Sequence, residues 1–332
     1  MIRYGLLGFG HHCEKRLVPA FPGARESALS GIWRRDYEKA KANARQYLIE
    51  HVFETAEELC ASPAIDAVFV TSPDALHLPD VLIALAHGKP VLCEKPLAMS
   101  VAEVAQMLAA ADTAGLRLGV AQNMRYNWSL EVMRDWIAEG RIGRPVLANA
   151  QFCYAAETSP RKWIYDPALA CGGPIGDVGI HCIDALRFLL NSRVATVNTL
   201  ARADERSGPV EAYAALGLDF ISGAMGSVTV STRGMYRSVM EVTGETGTIA
   251  SEYGLTVDTD VDVVLWRSGA AQERKTVSNA DCYTRMLDSF SAWVEGRGEF
   301  RATAEDSLHN QMVLDMAYES WRTGERRTIP AA

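Results

Sequence analysis

The feature that most constrains this chain is its beginning. Residues 2–7 are a short apolar run, followed at once by Gly8-Phe9-Gly10-His11-His12-Cys13. An apolar run of that length, closed by glycine, reads as a buried strand. A first glycine permits a tight turn. A second lets backbone approach a pyrophosphate, which then sits at the N-terminus of the following helix. That helix is expected to run through Ala20. Cys13 stands where the dinucleotide fingerprint has its third glycine, and it is small enough to pack against a sheet. Gly8, Phe9, Gly10, His11 and His12 are therefore the first expected cofactor contacts, the histidines through backbone N–H groups and loop shape.

Alternation continues after this loop. Strands are expected at 28–33, 65–70, 90–93 and 116–120. Helices are expected at 37–47, at 74–86 and from the Ser100 cap through 111. Strand and helix in turn build a parallel, doubly wound sheet. Beyond Gln122 the pattern changes. An amphipathic helix at 126–139 precedes β-rich segments at 145–154, 195–202, 210–220, 224–232, 237–243, 247–251 and 261–267. Most of these are joined without helices, so a largely antiparallel open sheet is expected. Its helices start near Asp177 and cover about 281–295 and 304–323. The reading is α/β: a dinucleotide-binding domain at 1–122 and an α+β domain for substrate binding and oligomerisation at 123–332. A chain of 332 residues is long enough for both.

Bulk properties narrow the partners. A formal charge of −8 argues against nucleic acid and anionic membranes. No apolar run reaches the roughly 18 residues of a membrane span. The seven cysteines are scattered, with no Cys-x-x-Cys pair. A reduced, cytoplasmic protein without a zinc site is expected, and the acidic residues form no metal cluster.

Ligands of open α/β sheets bind outside the carboxyl ends of the strands. The end of the second strand carries Trp33-Arg34-Arg35-Asp36. Two arginines suit a ribose 2′-phosphate, where an NAD site would place an acid. NADP is thus expected, with NAD possible, and Asp36 is read as a helix cap. Thr71-Ser72-Pro73, with His77 a turn later, and Glu94-Lys95-Pro96 end two further strands. A lysine there can act as a base or a hydroxyl ligand, and Glu94 can hold it. Pro96 admits a cis peptide that would turn the lysine inward. Gln122 completes this set.

The second constellation is Gly172-Gly173-Pro174-Ile175-Gly176-Asp177, followed by His181 and Asp184. On a helix, Asp177, His181 and Asp184 share one face. Asp177 at its start can cap backbone N–H groups, and it can orient the imidazole. An imidazole titrates near neutrality and suits proton removal from a carbinol that loses hydride. Lys95 would stabilise the developing alkoxide.

Gly8-Phe9-Gly10, Glu94-Lys95-Pro96 and Gly172-Gly173 with Asp177 and His181 together resemble the Gfo/Idh/MocA oxidoreductases. Further likeness lies in His87-Gly88-Lys89-Pro90-Val91, Asn123-Met124-Arg125-Tyr126 and Glu139-Gly140-Arg141-Ile142-Gly143. The resemblance implies an N-terminal Rossmann domain and an NAD(P)-dependent enzyme acting on sugars, cyclitols or related polyols. It implies that Lys95, Asp177 and His181 are the catalytic residues. It also implies that Trp163 lies near the nicotinamide end, and that Arg125 and Tyr283 lie near the substrate. Cys171 and Gly176 depart from the family pattern and bear on substrate shape. Two other roles fit the same fold: a glycoside-cleaving enzyme with tightly held NAD, and a ligand-sensing regulator. An open second sheet is expected to form a homodimer or homotetramer through its outer face.

Overall fold

The computed structural model describes residues 1–330. From the N-terminus run β1 (Ile2–Leu7), β2 (Ser27–Trp33), α1 (Tyr37–Tyr47), β3 (His51–Phe53), α2 (Ala56–Ala61), β4 (Ala67–Val70), α3 (His77–Ala86), β5 (Val91–Cys93), α4 (Val101–Ala114) and β6 (Leu118–Val120). Then come α5 (Trp128–Ala138), β7 (Pro145–Ala155), α6 (Ile180–Leu190), β8 (Val194–Arg202), β9 (Tyr213–Phe220), β10 (Met225–Ser231), β11 (Arg233–Gly244), β12 (Gly247–Ser251) and β13 (Asp260–Arg267). The chain ends with β14 (Glu273–Ser278), α7 (Cys282–Val294), α8 (Ala304–Thr323) and β15 (Arg327–Thr328).

Two compact units result: Met1–Ala121 with Tyr283–Leu308, and Gln122–Cys282 with His309–Ala332. The first holds a parallel sheet in the order β3-β2-β1-β4-β5-β6. That is the order of a doubly wound dinucleotide fold. Its strands are buried on both faces: Ala67, Val68, Phe69 and Val70 have no exposed surface. Leu59, Val81, Val104 and Met107 bring α2, α3 and α4 onto this core.

The segment 283–308 was expected in the second domain and instead packs in the first unit. Phe290 is fully buried, its ring 6.4 Å from Tyr4 and 5.3 Å from Phe300. A Cβ on Gly119 would come within 2.7 Å of Phe300, so glycine in β6 makes room for this packing. Asp288 accepts the Arg25 and Glu26 backbone N–H groups at 2.8 and 2.9 Å.

The first loop also differs from expectation. Cys13–Leu17 form a wide π-type turn and Val18–Gly23 a 3-10 helix, not one α-helix through Ala20. Pro19 and Pro22 lack the N–H that an α-helix needs.

The second unit is a nine-stranded sheet in the order β14-β13-β12-β11-β7-β10-β9-β8-β15. Among the described residues, only β7 and β10 pair in parallel in this sheet. Alternation along the strands buries Ala148, Ala150, Leu216, Leu218, Val228 and Val230 on one face. Helices α5 and α6 pack on the sheet. Among the described residues, no helix is long and apolar enough to cross a membrane.

Candidate active site

In the first unit, β1 ends in a turn that only glycine can make. Gly8 has φ +99°, and a Cβ there would meet the Ser72 backbone nitrogen at 2.5 Å. The Gly8 and Phe9 N–H groups donate to the Trp33 carbonyl, each at 3.1 Å. Gly10 is different. A Cβ there would find only the Gly8 carbonyl oxygen, at 3.8 Å. The protein's own packing does not require this glycine, whereas a pyrophosphate approaching the backbone does. The loop therefore fits a dinucleotide. Cys13 is fully buried, with its Sγ donating to Thr71 Oγ1 at 3.1 Å, and burial pushes its thiol up to about 11. It is a packed, neutral replacement for the third glycine.

The other strand ends are arranged around this loop. Arg34 Nη1 donates to Asn43 Oδ1 at 2.7 Å, and Asn43 Nδ2 donates to Glu14 Oε1 at 2.8 Å. Arg35 is exposed. Asp36 caps α1 by accepting the Lys39 N–H at 3.1 Å. The Thr71 hydroxyl donates back to Leu7 and Gly8 carbonyls, at 3.2 and 3.3 Å, and the Ser72 hydroxyl donates to Asp80 at 2.6 Å. Pro73 is half-buried. His77 was expected to contact cofactor. It is 0 % exposed, with one ring nitrogen on the Pro96 carbonyl and the other on that of Ser72, so in this structure it braces two loops.

His12 does more than shape the loop. Its Nε2 lies 2.9 Å from Glu94 Oε1, and Glu94 Oε2 accepts the Lys95 N–H at 3.2 Å. The Tyr283 ring meets His12 edge-on at 5.8 Å, so Tyr283 belongs to this unit. His11 is exposed, Lys95 is half-buried, and the Lys95–Pro96 peptide is cis.

In the second unit, the glycine-rich stretch is shaped by a buried carboxylate that the sequence did not announce. Glu211 accepts the Gly173 and Ile175 N–H groups at 3.0 and 2.8 Å and the Tyr318 hydroxyl at 2.9 Å. Burial pushes its carboxyl up, and these donors pull it down. Gly172 has φ +148°, and a Cβ there would overlap the Tyr318 hydroxyl. A Cβ on Gly173 would lie 2.0 Å from the Glu211 carbonyl oxygen.

Ile175–Gly179 then form a wide π-type turn before α6 begins. Asp177 sits in this turn and is no side-chain cap of it. The Tyr154 hydroxyl donates to its Oδ2, and Arg161 Nη1 and Nη2 donate to Oδ1 and Oδ2 at 3.2 Å each. Burial, then the Asp177 charge, raises the Tyr154 hydroxyl, so the phenol stays a donor. Arg161 and Tyr154 were not anticipated. They come from β7 and from the segment after it, far from Asp177 in sequence.

His181 lies on the first turn of α6 and is buried. Asp184 is tied to other partners. It is 1 % exposed and takes Arg125 Nε at 2.8 Å, Arg125 Nη2 at 2.6 Å and Asn310 Nδ2 at 2.7 Å. Arg125, expected near the substrate, is 6 % exposed and fastens α6 through this pair. Trp163 is half-buried on a short 3-10 turn, Lys162–Tyr165. Arg233 secures that turn by donating to the Tyr165 hydroxyl at 3.3 Å. Gln122, buried at the first position of this unit, leaves its Oε1 without a protein donor.

Comparison with known proteins agrees with both halves. Residues 2–122 match the oxidoreductase-family NAD-binding Rossmann fold, and residues 130–250 match the GFO/IDH/MocA C-terminal domain. A 1,5-anhydro-D-fructose reductase of Ensifer adhaerens is 31% identical over 331 residues, 99% of either chain. A D-xylose 1-dehydrogenase (NADP(+)) of Haloferax volcanii is 28% identical, covering 97% of this chain and 98% of its own. The crystal structure of an aldose-aldose oxidoreductase from Caulobacter crescentus, complexed with glycerol, superposes with a TM-score of 0.91 at 24% identity, covering 98% of this chain and 99% of its own. A glycine loop open to a dinucleotide, a Glu-Lys-Pro strand end, an aspartate–histidine helix start and likeness over the full length place the chain in the Gfo/Idh/MocA family of NAD(P)-dependent oxidoreductases.

Proposed function

We propose that the substrate is a sugar, cyclitol or related polyol, oxidised or reduced at one carbinol carbon, with NADP preferred and NAD possible. The observation that carries this reading is Asp177, held by Tyr154 and Arg161 in the turn that leads into the helix bearing His181. A carboxylate held by a guanidinium and a phenol keeps its charge and position. When bound, the nicotinamide supplies the hydride chemistry. Gly8, Phe9, Gly10, His11 and His12 would hold the pyrophosphate, and Arg34 and Arg35 the 2′-phosphate end. Thr71, Ser72 and Pro73 would face the cofactor through backbone groups, with Glu94, Gln122 and Trp163 toward the nicotinamide end.

His181 takes the proton from the reacting hydroxyl in oxidation and returns it in reduction. Lys95 stabilises the alkoxide, and Asp177 stabilises the charged imidazole. Tyr283 contributes to substrate shape. The sugar reductase and dehydrogenase among the relatives support this substrate class.

The protein is proposed to work in the cytoplasm as a homodimer or homotetramer. The test is a panel of sugars and cyclitols with NADP and NAD, followed by nicotinamide absorbance. Turnover of a sugar or polyol supports the reading. No turnover of any, by an enzyme shown to bind NAD(P), overturns it.

A further inference from the structure

His77 opens α3 and is completely buried. Its Nδ1 lies 2.9 Å from the Pro96 carbonyl oxygen, and its Nε2 lies 2.9 Å from the Ser72 carbonyl oxygen. Both partners are pure acceptors. A neutral imidazole has a single N–H, so one of the two contacts would set a ring lone pair against a carbonyl lone pair. In a buried place that opposition is costly. A proton on each nitrogen turns both contacts into charge-assisted hydrogen bonds.

A counter-charge is at hand. Asp80 is three residues along α3, on the same side of the helix. It is buried and accepts the Ser72 hydroxyl at 2.6 Å. Burial, with the nearby Glu57 charge, pushes its carboxyl up to about 6, while the Ser72 bond and His77 pull it down. The other groups facing this place are Glu57 and Cys60 of α2 and Cys93 of β5, with Asp74 and Glu94 at the strand ends and Lys89 near Cys60. Burial pushes both thiols up, Cys60 to about 12, and keeps them neutral.

We propose that His77 is a buried imidazolium whose two N–H groups clamp the Ser72 and Pro96 carbonyls, with Asp80 as counter-charge, and that this clamp fixes the turn carrying Lys95. His77 is then a positioning residue. It ties the end of β4 to the end of β5, where Glu94 already receives the Lys95 N–H. The charge state follows from the geometry of His77 itself. Its consequence for Lys95 rests on the role proposed above for that lysine.

The first test needs no substrate. The full-length protein is labelled with ¹⁵N-histidine, and its ring nitrogens are read by long-range proton–nitrogen NMR at neutral pH. The His77 signals are those lost in His77→Gln or, where that variant fails to fold, those left after each other histidine is replaced in turn. Two protonated ring nitrogens are expected, and one N–H with one bare nitrogen overturns the proposal. Asp80→Asn provides a second reading. If His77 is charged, the substitution strands a cation and lowers the thermal midpoint at neutral pH. If His77 is neutral, it removes a buried charge, and a raised midpoint would overturn the proposal.

The link to Lys95 is tested by a kinetic cycle on the best sugar of the panel. His77→Gln is expected to lower kcat about 10- to 100-fold, the scale of a small misplacement of a reacting group. In a Lys95→Ala background, His77→Gln is expected to add no further loss. Full additivity would overturn the link to Lys95, while the NMR result would still decide the charge state.

Discussion

At the scale of single residues, two glycines two positions apart do different work. Gly8 answers to the protein, since a side chain there would strike the Ser72 backbone. Gly10 answers to a ligand, since almost nothing of the protein lies within 4 Å of its missing Cβ. Gly8→Ala is expected to lower the thermal midpoint, because positive φ and the close approach both oppose it. Gly10→Ala is expected to leave the midpoint within a degree or two, yet weaken NAD(P) at least tenfold. Calorimetry and cofactor titration of both variants check this, and unchanged cofactor affinity in Gly10→Ala would remove the loop from the binding site. Arg34→Ala with Arg35→Ala should weaken NADP far more than NAD, since two charge-assisted contacts to the 2′-phosphate go. Equal losses for the two cofactors would show that these arginines do not read the phosphate. In the other unit, His181→Ala should lower kcat by about 10²–10⁴-fold, the usual worth of positioned proton transfer. Arg161→Ala should give a smaller loss, because Asp177 keeps the Tyr154 donor but loses its guanidinium. Steady-state kinetics would settle both, and near-normal turnover in His181→Ala would transfer the proton to Lys95.

At the scale of elements, the turn that leads into α6 shows what a sequence can and cannot disclose. The glycines, Asp177 and His181 were legible because helix periodicity and glycine conformation are local properties. Their supports were not. Glu211 and Tyr318 hold the turn from β9's leading loop and from α8, and Tyr154 and Arg161 reach Asp177 from β7 and beyond it. No spacing rule links such distant positions. Helix α1 ended where its pattern ended, at Tyr47, and Ser100 caps α4 as its sequence suggested. Strand β14, Glu-Arg-Lys-Thr-Val-Ser, is a mostly exposed edge and so has no apolar alternation to find. The π-type turn at Ile175–Gly179 is set by tertiary anchoring, so a regular helix face over Asp177, His181 and Asp184 was too simple. Glu211→Gln tests that anchoring. An amide nitrogen would then face a backbone N–H of Gly173 or Ile175, at a cost of about 1–3 kcal/mol. Chemical denaturation should show that loss and activity should fall with it. Unchanged stability would mean the turn holds its shape without the carboxylate.

At the scale of the whole molecule, the nine-stranded sheet has one face covered by helices and one face open. The open face is not uniformly polar. Leu147 in β7 is 49% exposed and Met225 in β10 is 58% exposed, and the two are direct cross-strand partners. Tyr213 in β9 and Trp266 in β13 are exposed as well. A pair of large apolar side chains at the middle of a sheet loses free energy to water that a second sheet would recover. Self-association through the same patch on both copies gives a closed, two-fold contact. Leu147→Glu with Met225→Glu should therefore dissociate the proposed dimer or tetramer, because each copy would bring two carboxylates into the contact. Secondary structure should be unchanged, since both positions point away from the core. Sedimentation of wild type and variant at micromolar concentration decides the matter. A wild-type dimer or tetramer that the double substitution converts to monomer fits the proposal, whereas a wild-type monomer, or an assembly indifferent to both charges, rules this face out as the interface.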